Sequence, residues 1–331
     1  LYNIAAATLR AVGDTRTPLV ILVSSAVLNV GLDLLFIVVF KMYYTGAAAA
    51  TVVSQFLAGF GGLIYMFAAY PVLRPRRSDW KSALRMWKGH VAIGLPMALQ
   101  FSITAIGTII QQSALNTLEA SEPGVATACA AASKIGNLAA APFEAVGVTF
   151  ATYAGQNYGA KEFDRLRDGT LAGLCWCGIL WAAGLALCAG LGAPLMRLFV
   201  DPSQGDVALY YDRIIACGRQ YILCQAAFFG PLGIIHIYRN TLQGAGRSAL
   251  TMLAGVTELA GRAVASFLFV SLFGFTGICL SNPTAWVAAD AFLLVAYRAV
   301  MRGFPGEKRS LKARFAALFG REEGAREGKK A

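Results

Sequence analysis

Asn29 and Asp33 stand four residues apart in an otherwise apolar run. On a helix that spacing puts an amide and a carboxylate on one face, about 6 Å apart along the axis. By the same rise Asp33 lies about 22 Å beyond Pro18, in the outer half of a bilayer. Thr51 opens the next apolar run after a short turn, so a carboxylate, an amide oxygen and a hydroxyl can converge. Hard oxygens of this kind suit Na⁺ or a proton relay. The competing reading is a structural hydrogen-bond cluster between helices.

Other polar residues interrupt the later apolar runs. Glu258 and Arg262 are also four apart with the acid first, the favourable order for an intrahelical pair, so mutual neutralisation competes with a gating or substrate role. Glu144 lies too far from Lys134 to be its direct partner and is a candidate for lining a central cavity. Asp290, near the middle of the last apolar run, is another. Gln100, Gln111 and Gln112 are uncharged donors and acceptors able to line a substrate path or simply to pack. His90 and His236 have no carboxylate or thiolate at triad or metal spacing, and the glycines form no phosphate loop after a strand. The seven cysteines lie mostly in apolar runs and read as small buried hydrophobes. No catalytic constellation and no cofactor motif is visible, and the one metal expected is a possible Na⁺ at Asp33.

The elements that must position these groups follow from composition. Of 331 residues, 57% are hydrophobic and 14% charged, and the mean hydropathy is +0.57; the excess apolar surface has to face lipid. Windows without Asp, Glu, Lys or Arg run from Met42 to Leu73, Val91 to Leu118, Gly169 to Met196 and Ala263 to Ala289, each long enough to hold a span of about 20 residues. Windows and breakers together predict an all-α integral membrane protein with about eight spans: Pro18–Phe40, Thr45–Tyr70, Val91–Leu118, Val125–Tyr153, Thr170–Ala193, Ile214–Tyr238, Leu250–Phe273 and Gly277–Val300. Leu1 to Leu9 looks like the end of a further helix. The tail from Met301 is charged, with a surface helix expected around Leu311 to Phe319. The start at Leu1, already in an apolar stretch, reads as N-terminally incomplete.

A formal charge of +11 suits a nucleic-acid binder, but basic residues between apolar spans are what cytoplasmic loops carry, and no nucleic-acid partner is expected. Alternate loops and the tail collect 23 of the 29 Lys and Arg, counting Arg239 and Arg247 together as one loop. The Arg74–Lys88 loop and the C-terminus are therefore expected on the cytoplasmic side of the cell membrane. An internal repeat points to a transporter. Thr8–Gly13 can be laid on Thr241–Gly246, and Gly46 then pairs with Gly277.

These residues carry a family resemblance. Leu9–Pro18, followed by Asn29 and Asp33, resembles the loop between the fourth and fifth helices of multidrug and toxic compound extrusion (MATE) transporters. Gly46–Thr51 resembles the start of their sixth helix, Gly94-Leu95-Pro96 with Gln100 their seventh, Gly155–Ala160 the loop after their eighth, and Pro283 with Trp286 their twelfth. The resemblance implies helices five to twelve of a twelve-helix, two-lobe transporter. Residues 1–73 would end the first lobe, 74–90 form a cytoplasmic inter-lobe loop, 91–300 the second lobe and 301–331 a cytoplasmic basic tail. It also implies that Asn29, Asp33 and Thr51 match positions that bind the coupling cation in some members. Substrate-cavity candidates are Gln100, Gln111, Glu144, Glu258, Arg262 and Asp290. The third and sixth spans carry no Asp or Glu, a departure from the branch with acidic residues on its seventh and tenth helices.

The function so implied is cation-coupled export, by Na⁺ or H⁺, of amphipathic and often cationic organic compounds, by a chain surrounded by membrane lipid and acting as a monomer. A lipid-linked saccharide flippase would need cationic residues lining its cavity. An intramembrane prenyl or acyl transferase would need paired aspartates or a His-Asp arrangement at a membrane face, and neither is present.

Overall fold

The computed structural model describes residues 1–203, 205–306 and 314; the helix expected around Leu311 to Phe319 lies, Arg314 apart, outside them. The described residues are helices and turns without a strand. They form two compact units, Leu1–Trp87 and Lys88–Ala331.

In the first unit, α1 (Tyr2–Ala11), α2 (Arg16–Asp33) and α3 (Tyr43–Ala69) pack together. Gly13, at φ +94°, makes the turn into α2, a backbone region open to glycine because it has no Cβ. Asp14 then accepts the backbone N–H of Thr17 at 3.0 Å and the hydroxyl of Tyr70 at 3.3 Å, fixing the start of α2 to the end of α3. The buried residues of α3 include Gly46, Ala50, Ser54, Ala58, Gly62 and Met66, a four-residue repeat of mostly small side chains that lets neighbouring backbones approach closely. The Ser25 hydroxyl of α2 donates to the Ser54 carbonyl at 3.0 Å. After Asp33 the helix widens into a π turn, Leu34–Val39.

The loop expected at 74–90 is shorter than the sequence suggests. From Asp79 the chain is already α4, Asp79–Ser121. An acidic residue in the first turn favours the helix dipole, and no proline or glycine interrupts 79–88.

The second unit continues with α5 (Val125–Gly159), α6 (Phe163–Phe199), α7 (Gly205–Ala227), α8 (Phe229–Gly244), α9 (Ser248–Val264), α10 (Val270–Phe273) and α11 (Phe275–Arg302). Glu119 caps α5, its two carboxylate oxygens accepting the N–H groups of Gly124 (2.7 Å) and Ala126 (2.6 Å). Small residues of α5, among them Ala128, Cys129 and Ala132, are buried, and α6, α7 and α8 pack around it. At the other end, Arg167 donates to the carbonyls of Met301 (2.6 Å) and Phe304 (2.8 Å), and the rings of Phe163 and Phe304 stack at 4.7 Å. That end of α11 is thereby tied to the start of α6.

The expected span Ile214–Tyr238 is two helices, α7 and α8, meeting at 47°. Pro231 lacks an N–H, and its ring clashes with the carbonyl four residues back, that of Ala227. The indole N–H of Trp181 donates to that carbonyl and to that of Ala226, both at 3.1 Å. Among the described residues, six helices are long and apolar enough to cross a membrane, and seven if the bent pair is one span. Helix α5, although 35 residues long, falls short on apolarity. Its polar residues line a cavity.

The repeat has a structural counterpart. A second π turn, Ala265–Phe269, joins α9 to α10 as Leu34–Val39 follows α2. A Cβ on Gly46 would lie 3.0 Å from the Phe36 Cβ, and one on Gly277 would collide with the backbone of Phe269. In each unit a glycine opening the second helix seats the preceding π turn.

Candidate functional site

The first group lies at the end of α2. Asn29 Nδ2 and Asp33 Oδ1 are both buried and make no hydrogen bond among the described residues. The exposed Thr51 instead donates to its own helix, to the Ala47 carbonyl at 3.0 Å. Asn29 and Asp33 therefore share a helix face as their spacing requires, and the Thr51 hydroxyl is committed elsewhere. Asp33 is the last residue before the π turn, an irregularity frequent at functional sites. Nothing in the sequence announces that turn.

In the second unit, α4, α5, α7, α8 and α11 enclose a cavity of about 430 Å³. Its polar lining is uncharged and includes Gln111, Gln112, Ser133, Asn137, Gln225 and Asn282, with Tyr221 and the rings of Phe229 and Trp286. Asn282 donates to the Tyr221 hydroxyl at 3.3 Å, and Gln225 to the Cys279 carbonyl at 3.2 Å. Helix α11 supplies Ile278, Asn282 and Trp286, one stripe at four-residue spacing. Gln111 is thus a lining residue. Glu144 is not: it is exposed on α5, one turn beyond Ala140, the last α5 residue of the lining.

Gln100 is also outside this lining. It is 3% exposed and its side-chain oxygen accepts from Gln243 at 3.1 Å, while Gln243 also reaches Thr251 at 3.4 Å. This network ties α4 to α8 and α9. Glu258 and Arg262 pair within α9 at 3.0 Å, but the carboxylate has a second partner, Arg239 of α8, at 2.7 Å. Arg239 therefore belongs to a buried helix interior and not to a loop, so it leaves the count of loop charges. The sequence hides this because the partners are 19 residues apart across a turn. Arg262 also donates to the Thr104 carbonyl at 3.2 Å, and its guanidinium occupies space beside Gly107 that a Cβ would fill. The Arg239–Glu258–Arg262 cluster holds α8, α9 and α4 together.

Asp290, one turn beyond Trp286 on α11, faces with Val287, Ala291 and Leu294 a second cavity of about 540 Å³ between α6, α8 and α11. Its Oδ1 is buried without a hydrogen-bond partner among the described residues. Around it are apolar side chains, Trp181, Cys177 and Tyr238. Of the sequence candidates in this unit, then, Gln111 lines the polar cavity, Asp290 the apolar one, and Gln100, Glu258 and Arg262 hold helices together.

Comparison with known proteins places this architecture. The chain is 29% identical over 303 residues to the probable multidrug resistance protein YpnP of Bacillus subtilis, covering 90% of this chain and 64% of that protein. It is 23% identical over 256 residues to an FAD transporter of Shewanella oneidensis, covering 76% and 54%. The chain thus spans less than two thirds of either relative. A solved transporter of the MOP superfamily from Pyrococcus furiosus superposes with a TM-score of 0.76 at 18% identity, over 92% of this chain and 67% of that one, which shows the shared fold. The MatE family model matches residues 96–268, more than half of the sequence and most of the second unit. With its long apolar helices, its polar cavity and this match, the chain is a multi-pass membrane protein and belongs to the MatE family.

Proposed function

We propose that the protein is a cation-coupled antiporter, driven by Na⁺ or H⁺, that exports amphipathic and often cationic organic compounds across the cell membrane, working as a monomer with its C-terminus in the cytoplasm. The observation that carries the coupling is the unpartnered, buried Oδ1 of Asp33 beside Asn29. A carboxylate at membrane depth pays heavily for its charge unless a cation or proton accompanies it, so occupancy at Asp33 is linked to which conformation is stable. Thr51 contributes less, its hydroxyl being committed to Ala47. Support for the substrate class comes from the 430 Å³ cavity: neutral donors and acceptors with aromatic walls suit varied amphipathic molecules better than one fixed charge.

The flippase alternative calls for cationic side chains along the cavity. Among the described residues no Lys or Arg is in its lining. Everted vesicles bearing the full-length protein should accumulate a cationic dye when a Na⁺ or H⁺ gradient is imposed and lose the effect when both are collapsed. Uptake driven by ATP with no ion gradient would remove the antiporter reading.

A further inference from the structure

The groove between α6, α8 and α11 is separate in chemistry and position from the polar cavity. Helix α11 turns Ile278, Asn282 and Trp286 toward one and Val287, Asp290, Ala291 and Leu294 toward the other, two groups whose mean directions differ by about 130° at 100° per residue, with Asp290 on the near edge, about 40° from Trp286. Asp290 sits near the midpoint of the 28-residue α11, the depth at which a carboxylate is most costly in a membrane. Its Oδ1 finds no partner, and no ion pair forms to it among the described residues. The cation that acts on it, Arg239, is committed to Glu258 at 2.7 Å. The remaining titratable groups of the lining are Cys177, whose thiol faces the Gly233 carbonyl at 3.8 Å, and Tyr238, whose ring lies tilted against that of Tyr297 with centroids 4.6 Å apart.

One wall is an aromatic ring held in place. Trp181 is fixed by its two carbonyl acceptors at the α7–α8 break, and Gly230 leaves room for the ring, where a Cβ would stand 3.1 Å from it. Trp181 and Val287 are exposed, at 38% and 47%, so the groove opens to the outer surface of the unit, where hydrocarbon can enter. A lone carboxylate, an aromatic face and an otherwise apolar trough complement one kind of molecule, a cationic head on a hydrocarbon body. We propose that this groove binds a lipophilic organic ammonium ion, its head at Asp290 beside Trp181 and its hydrocarbon along α6, α8 and α11. The assignment concerns binding and does not depend on the export reading.

The test uses a photoreactive alkyltrimethylammonium and its uncharged counterpart, in which carbon replaces the nitrogen, on full-length protein in a maltoside detergent. Mass spectrometry maps the adducts. The charged probe should label residues 174–181 and 287–294 about tenfold more than the uncharged one, and Asp290→Asn should abolish that preference. Gly178 offers a second variant that leaves the carboxylate alone: it lines the groove, and a Cβ there meets nothing within 4 Å, so Gly178→Leu should fill the trough, fold normally and suppress labelling by both probes. Equal labelling by the two probes in the unaltered protein, a preference surviving in folded Asp290→Asn, or labelling undiminished in Gly178→Leu would overturn the site. Labelling as expected in a protein that exports nothing would leave the site standing and remove the transport reading.

Discussion

At the residue scale the second unit hangs on a three-member charge cluster. Glu258, 4% exposed, balances two arginines, so its removal leaves the buried Arg262 and the half-buried Arg239 without their shared carboxylate. Glu258→Gln should destabilise the protein by about 3–5 kcal/mol, the usual cost of breaking a buried pair, seen as a fall in thermal unfolding temperature in detergent; an unchanged transition would mean that the arginines find other partners. Asp14 is the opposite case, a half-buried carboxylate tying α2 to α3. The Thr17 backbone N–H holds its pKa below the ordinary 3.8. A carboxyl lowered on folding stabilises above its unfolded value, and that contribution fades as pH falls through the folded one. Asp14→Asn should therefore lower the unfolding temperature at pH 7, and the gap to the unaltered protein should close below pH 3.8. A gap independent of pH would show that the carboxylate charge is not what matters. Asn29, Asp33 and Gln111 were legible as site candidates because polar groups in apolar runs need a reason. Arg239 was not, since its partner is distant in sequence.

At the scale of elements, glycines decide how closely helices approach. Most of the spans could be read from charge-free windows, because lipid imposes length and apolarity together. The break between α7 and α8 was signalled by Gly230-Pro231 but hidden inside a continuous apolar run, and the two π turns leave no mark in residue type. Gly244 on α8 lies against α5, where a Cβ would stand 2.7 Å from that of Ala154. Gly244→Ala should lower stability by about 1–3 kcal/mol. Gly190→Ala, with nothing within 4 Å, should leave stability unchanged or slightly raised through helix propensity. Comparable thermal transitions for the two variants would refute the close α5–α8 approach.

For the whole molecule, loop charge sets orientation. Reassigning Arg239 to α8 removes one charge from that count without changing the side it favours. Cysteines placed at Ser78 and Glu162, in a background without the native seven, should resist an impermeant thiol reagent in intact cells, while one at Ser203 reacts; the reverse pattern would invert the entry and exit faces. The claim that joins orientation, fold and site is that Asp33 couples a cation to export. Its most direct test is Asp33→Asn, which keeps the shape and removes the charge, with folded yield and gradient-driven dye export measured on one preparation of full-length protein. If Asp33 couples the cation, yield and thermal stability are near normal, dye binding is retained and gradient-driven export is lost. Full ion-dependent export by a well-folded Asp33→Asn protein would contradict that coupling.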